Sequence, residues 1–442
     1  MDKRIAIKRR FIVILGCLTG ITALSIDMSL PSIPEMALGL SSSLSRGQLI
    51  IGVFMAGIAI GQMPAGLLSD RVGRIPTLLC GIAIFIVAGI ITTIAPSMEI
   101  MLLARFLQGL GGSVGVVVPR AIVRDIASGK EAASILSTMV MIFTLIPMLG
   151  PIIGGYLVAE YNWRAPFIAI TILGCITLIS INKGLYETKH IEQKINIRLQ
   201  LSNGLKEFFR HKQSIIGMFL VVIPVMGYMS MITASSSLII KIYNFPVSWF
   251  GLIFALCGFM TLIGSAINKR LLKIHSITYV TGLGAILIGI GAIFLMYIAW
   301  HNQASFILLW SSICLYMLGT GFVIANSTAI ALNPVQKMSG IAASIIGTLQ
   351  NLCVSIGAIV TSLIYNDSIR NTIIIMAVCG CITLIIFMLN FQKLFYNKKL
   401  TYKERGRRMD YFDSLINKER KKIDDFIVKS KDGKALLKDI DY

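Results

Sequence analysis

Long apolar stretches alternate with short polar breaks along the whole chain, and each stretch is long enough to cross a bilayer as one helix of about 20 residues. The pattern predicts twelve helices, over 11–33, 47–69, 75–95, 99–122, 132–159, 164–183, 214–241, 246–268, 276–298, 303–330, 338–364 and 369–396. The first begins directly after Lys8, Arg9 and Arg10. A basic start before an apolar run can also be a cleaved signal peptide. The length of the run, Asp27 within it and the span that follows favour an uncleaved first helix.

The longest break, 184–213, is strongly charged and divides the chain into two six-helix halves. The expected organisation is a first bundle over 1–185, a central cytoplasmic loop over 186–212, a second bundle over 213–396 and a charged tail over 397–442. A weak echo supports the halves: Gly66-Leu-Leu-Ser-Asp70-Arg71 returns as Gly264-Ser-Ala-Ile-Asn268-Lys269. Six plus six spans is a common organisation of secondary transporters. The tail carries 14 Lys/Arg and 9 Asp/Glu. Its apolar residues, Tyr411, Phe412, Leu415 and Ile416 and then Ile423, Phe426 and Ile427, recur at helical spacing. It reads either as a solvated, partly helical tail or as an amphipathic helix on anionic lipid.

Composition narrows the class. Of 442 residues, 55% are hydrophobic and 14% charged, against roughly 25% charged in soluble domains. Mean hydropathy is +0.79. This excludes a soluble enzyme and a disordered chain. The net charge of +20 could suggest nucleic acid, but on so apolar a chain basic loops explain it. With the N-terminus inside, 36 of the 41 lysines and arginines fall on the cytoplasmic side. That asymmetry places both termini in the cytoplasm, with no nucleic-acid partner. The eight cysteines (17, 80, 175, 257, 314, 353, 379 and 381) lie in apolar runs and are expected to be buried small hydrophobes. The four histidines fall in loops, so no metal cluster is expected.

Intramembrane charges are costly and mark function. Asp27 is the one carboxylate well inside a predicted span, and Arg105 is the matching cation. Each lies near one end of its span, roughly 9 Å deep at 1.5 Å per residue. Equal depth permits pairing without proving it. Burial favours the neutral acid and a nearby guanidinium the anion, so a carboxylate between those influences can load and release a proton. Gln108 follows Arg105 by three residues and shares its helix face. Arg124 can snorkel to headgroups, whereas Arg120, one turn deeper, can face a cavity. Asn326, Gln350 and Asn351 are amides in apolar spans, and Tyr228 and Tyr316 are amphipathic aromatics there. Each could line a substrate cavity or only bond another helix.

Four motifs carry a family resemblance. Gly61-Gln-Met-Pro-Ala-Gly66-Leu-Leu-Ser-Asp70-Arg71-Val-Gly73-Arg74 resembles the loop 2–3 signature of the major facilitator superfamily. Arg105-Phe-Leu-Gln108-Gly109-Leu-Gly111-Gly112 resembles the helix 4 signature of its drug–proton antiporters, and Gly150-Pro151-Ile-Ile-Gly154-Gly155 the helix 5 antiporter motif. Asp27-Met-Ser-Leu-Pro31-Ser-Ile-Pro34 resembles the helix 1 signature. With Arg120-Ala-Ile-Val-Arg124-Asp125 and Trp163-Arg164-Ala-Pro-Phe167, the pattern is similar to the bicyclomycin-resistance (Bcr/CflA) exporters, densely over 27–167 and thinly beyond. Ile75 stands where the signature usually continues with a basic residue, and Pro147 where glycine is commoner.

The residues have physical readings of their own. Gly66 and Gly73 allow close approach and a tight turn, and Asp70 can cap a helix N-terminus. Arg71 and Arg74 can bridge to Asp125. Pro151 removes an amide donor and kinks its helix, while Gly150, Gly154 and Gly155 admit a neighbour. The resemblance implies a twelve-helix, all-α fold, an inner gate at Gly66, Asp70, Arg71, Gly73, Arg74 and Asp125, and export rather than import. The expectation is a proton-driven exporter of drug-like or amphipathic molecules. The alternative is a transporter of amino acids, peptides or siderophores on the same scaffold. No Walker loop is present, so the expected energy source is the proton gradient, without a cofactor. A single chain enclosing its own pathway is expected to work as a monomer in the bilayer. A membrane enzyme would need His/Asp/Glu clusters within spans, and a receptor would not need the gate and coupling residues.

Overall fold

A computed structural model describes residues 3–127, 129–188, 197–301 and 305–391. The described residues are helical throughout, without a strand. The helices are α1 (Lys3–Asp27), α2 (Ile33–Gly39), α3 (Leu44–Arg71), α4 (Arg74–Ile94), α5 (Met98–Ile126), α6 (Gly129–Glu160) and α7 (Ala165–Gly184). Next come α8 (Ile197–Arg210), α9 (Lys212–Ser236), α10 (Val247–Leu271), α11 (Ile277–His301), α12 (Phe306–Leu332), α13 (Ser339–Ile364) and α14 (Ile369–Phe391). Serine sets several of the starts. Ser43, Ser97 and Ser305 each accept the backbone N–H three residues on, opening α3, α5 and α12; such a cap contributes about 1 kcal/mol.

Eleven stretches among the described residues are long and apolar enough to cross a membrane. The expected span 132–159 falls within α6, whose 32 residues run unbroken. The first span departs from expectation. Its helix stops at Asp27, a 3-10 turn follows over Leu30–Ser32, and α2 completes the apolar stretch to Gly39. Pro31 has no N–H to give the carbonyl four residues back, which is that of Asp27, and its ring clashes there. The helix therefore breaks at the charged residue.

The core is built on small residues. In the first half, α5 packs against α3, α4 and α1, while α1 also packs on α6 and α7. In the second, α12 packs against α11, α10 and α9, and α9 against α13. The halves meet along two seams, α3 on α13 and α6 on α10. Ser45 Oγ donates to the Ser362 carbonyl at 2.6 Å, Gln48 Nε2 to Ser237 Oγ at 2.7 Å and Ser355 Oγ to the Gly52 carbonyl at 2.9 Å. All three involve the first part of α3, at the end away from Asp70.

Two further expectations change. The central loop contains a helix, α8, which packs against α13 and α9. Phe208 inserts fully buried beside Met218, Val221, Ala331, Val335 and Ile345. Among the cysteines, Cys257 and Cys379 are buried, but Cys17, Cys80 and Cys175 are exposed. The chain divides into one compact unit over Met1–Met388 and a second over Leu389–Tyr442; the expected tail, 397–442, and His190 lie outside the described residues.

Candidate functional site

Asp27 sits where α1 breaks, and it is buried, 6% exposed. The break is held from two sides. Because the helix stops, the Ser29 N–H donates to the Ile26 carbonyl at 3.1 Å, which frees the Ser25 carbonyl. Arg105, fully buried on α5, takes that oxygen. Its Nη2 donates to the Ser25 carbonyl at 3.0 Å and to Ser29 Oγ at 3.2 Å. Its Nη1 donates to Ser25 Oγ and to Gln108 Oε1, both at 2.9 Å. The guanidinium also lies 4.5 Å from the Phe54 ring centroid and 5.6 Å from that of Phe167. A cation at the C-terminal end of a helix meets its negative dipole end. Arg105 thus caps α1 two residues before Asp27 and forms no ion pair with it. Equal depth suggested a pair; the freed backbone carbonyl competes for the guanidinium and holds it. Gln108, 1% exposed, serves Arg105 rather than a cavity.

On the other side stands the glycine motif of α6. A Cβ at residue 150 would lie 2.9 Å from Asp27 Cβ, and one at 154 would overlap the Met28 carbonyl oxygen. The opposite face of the same turn meets the second half, with Gly155 beside the Val247 carbonyl and Pro151 backbone against Gly251 on α10. These glycines therefore wedge α6 between the broken helix and α10. The helix continues through Pro151 to Glu160. Tyr228, half-buried on α9, lies within electrostatic reach of Asp27. Among the described residues, no hydrogen bond or ion pair engages the Asp27 carboxylate. A titratable group without a fixed partner can change its proton occupancy.

A second cluster lies at the opposite end of α3. Gly73 adopts φ +122°, open to glycine and strained for other residues, and turns the chain from α3 into α4. Arg74, 8% exposed, then reaches back. Its Nε donates to Asp125 Oδ2 at 2.8 Å and its Nη1 to Ser69 Oγ at 2.9 Å and to Asp70. Thr188 Oγ1 donates to the same Asp125 oxygen at 3.2 Å. Asp70 does not cap α4. That place belongs to Glu187, beyond the end of α7, whose carboxylate accepts the Arg74 N–H at 2.9 Å and the Ile75 N–H at 3.0 Å. Nothing local in the sequence marks Glu187, because the amides it serves are more than a hundred residues away. Arg71 is exposed at the end of α3, and Gly66 makes no tight crossing, with Val117 at 3.6 Å from an added Cβ.

Loss of a charged cap costs about 1–2 kcal/mol. Glu187→Ala is accordingly expected to lower the thermal midpoint of the purified protein by a few degrees, and Glu187→Gln by about half as much. Equal midpoints would mean that other groups satisfy the α4 amides.

The remaining candidates separate. Asn326 is 2% exposed and exchanges two hydrogen bonds with Asn268, at 2.8 and 3.3 Å. It bonds α12 to α10. Tyr316 is buried, its hydroxyl donating to the Pro224 carbonyl at 3.1 Å. Gln350 and Asn351 are half-buried on α13. Arg120 is exposed. Among the described residues no group of three His, Cys, Asp or Glu side chains could hold a metal ion.

Comparison with known proteins places these clusters in context. The Major Facilitator Superfamily pattern matches residues 15–358. A bicyclomycin resistance protein homolog of Haemophilus influenzae is 28% identical over 388 residues, covering 85% of this chain and 95% of the relative. An MFS-type transporter of Bacillus subtilis, YdgK, is 30% identical and covers 79% of this chain and 87% of its own. The multidrug resistance protein MdtL of Escherichia coli is 33% identical over 170 residues, 38% of this chain and 44% of that one. Among solved structures, a D-xylose–proton symporter shares the fold at a TM-score of 0.67 and 15% identity, covering 85% of this chain and 97% of its own.

Proposed function

From the premise that the chain belongs to the major facilitator superfamily and is a multi-pass membrane transporter, we propose that it exports small drug-like or amphipathic molecules in exchange for protons. The single observation that carries this reading is Asp27, a buried carboxylate without a fixed partner at a helix break. The names of the Haemophilus and Escherichia relatives support a drug-like substrate.

Twelve spans in two six-helix bundles alternate access to a central site, with both termini on the cytoplasmic side of the inner membrane. Asp27 takes a proton from the outside and returns it inside, and substrate leaves between those events. The Asp70–Arg74–Asp125 cluster, with Ser69, Thr188 and Glu187, braces the cytoplasmic ends of α3, α4 and α5 as the halves rock. The proton gradient is the energy source, with no cofactor. Each charge moved inward yields about 2.3 kcal/mol per 100 mV.

The test uses inverted membrane vesicles holding an acid-inside gradient read by a pH dye. A panel of chloramphenicol-like, cationic-dye and amino-acid compounds is added in turn. Proton efflux triggered by a drug-like compound is the expected result. Efflux triggered by amino acids alone would reassign the protein to metabolite transport, and substrate movement without proton movement would reject the coupling.

A further inference from the structure

We infer that Arg120 is an anion-recognition residue, and that the molecules this protein carries include organic anions. The inference rests on the transporter reading and specifies its substrate class.

Arg120 lies six residues before the end of α5 at Ile126, which at 1.5 Å per residue is about 9 Å in from that end. Its position around the helix is fixed by its neighbours. Leu103 and Leu107 mark the outward, lipid-facing side, 61% and 37% exposed. Gly109 marks the side packed on α3, where an added Cβ would lie 3.2 Å from the Ile58 nitrogen. Arg120 follows Gly109 by eleven residues, about three turns, and so returns to the α3 side, away from the leucines. It is exposed to solvent on that inward side of the helix. That combination describes a group on the wall of an internal, water-filled space. Arg124 is exposed one turn nearer the end, where a long side chain can reach lipid headgroups.

Among the described residues this cation has no counterion, and no hydrogen bond or ion pair engages the Arg120 guanidinium. Asp70 and Asp125 are committed to Arg74, and Glu187 to the α4 amides. From Lys212 to Phe391 there is one carboxylate, Asp367, and it stands 4.0 Å from Lys241 beyond the ends of α9 and α13. A guanidinium on the inward side of a helix, without a partner among the described residues, is completed by an anion from outside. Its planar fork suits a carboxylate, sulfonate or phosphonate bound through two parallel N–H···O bonds.

The experiment uses the full chain in phosphatidylcholine nanodiscs, titrated with fluorescein and with rhodamine 6G, which share a ring system and differ in charge. Anisotropy is read against empty discs, without any gradient. Wild type should bind fluorescein at least about tenfold more tightly than rhodamine 6G. Arg120→Gln should erase that preference, Arg120→Lys should keep part of it, and Arg124→Gln should leave it intact. Binding of neither dye, no preference in wild type, a preference surviving Arg120→Gln, or equal loss in Arg124→Gln would each overturn the assignment. So would fluorescein binding that vanishes in discs containing phosphatidylglycerol, which would give the guanidinium to a lipid headgroup. Because the titration needs no proton movement, failure of coupled export in vesicles leaves this result standing, and the reverse also holds.

Discussion

Asp27→Asn is expected to abolish substrate-driven proton movement while leaving the protein folded. Asparagine matches the shape of the protonated acid, and Gly150 already leaves room for that side chain. No ion pair is broken, because none engages the carboxylate among the described residues. What disappears is the change of charge. A gradient worth about 2.3 kcal/mol per 100 mV sustains a substrate ratio of about fiftyfold for each coupled proton. Without the titrating group that ratio should fall to one. Substrate binding should persist, since the amide stands in for the neutral acid. The measurement is paired, with proton efflux by pH dye and substrate accumulation in the same inverted vesicles. Efflux retained by Asp27→Asn would move the proton site elsewhere and sink the assignment. Asp27→Glu offers a graded control. Its extra methylene must find room between α1 and α6, so coupling should be weakened, not removed.

Much of this site was legible in the sequence, and the parts that were not have physical reasons. Span positions follow from apolar length alone, which the bilayer imposes on each segment separately. The glycines of α6 and the tight turn at Gly73 could be read because only glycine tolerates such contacts or such a φ. The break after Asp27 was visible in Pro31 and Pro34, yet the continuous apolar run from Phe11 to Gly39 masked it. Rotation about each helix was hidden, because in a membrane the outer surface is as apolar as the core. Cys17, Cys80 and Cys175 could not be told from Cys257 for that reason. It is also why Asn326 and Gln108 read as cavity residues before their partners were known. The echo between Gly66 and Gly264 misleads in the same way. Gly264 is pressed against the Leu318 carbonyl, while Gly66 meets nothing closer than Val117 at 3.6 Å. On the first half it is Gly57, closed on the Phe106 carbonyl and facing Gly109 as Gly264 faces Gly321, that occupies the equivalent crossing. Glu187 and the amides it caps are joined only by the fold, and α8 was obscured by the charges around Phe208.

Arg105 carries the other large effect, and it separates a charge from a shape. Its guanidinium makes four hydrogen bonds, three of them to Ser25 and Ser29 on either side of Asp27. Lysine retains the positive charge but cannot span the Ser25 carbonyl, two hydroxyls and the Gln108 amide from one planar group. If Arg105 acts only through its charge, Arg105→Lys should transport nearly as wild type does. The geometry predicts otherwise. Loss of two or more charge-assisted bonds in a fully buried place costs on the order of 3 kcal/mol, borne by the segment that carries Asp27. Coupled transport by Arg105→Lys should therefore drop on the order of a hundredfold. Arg105→Ala adds an empty volume between Phe54 and Phe167 and should lower the thermal midpoint as well. A single cysteine at position 29, in an otherwise cysteine-free background, reports the break directly through its rate of labelling by a small maleimide. That rate should rise in Arg105→Lys, because Ser29 is fully buried in the wild-type arrangement. Unchanged labelling together with lost transport would show that Arg105 governs transport by a route other than holding the break. Raised labelling with coupling intact would show that the break tolerates loosening.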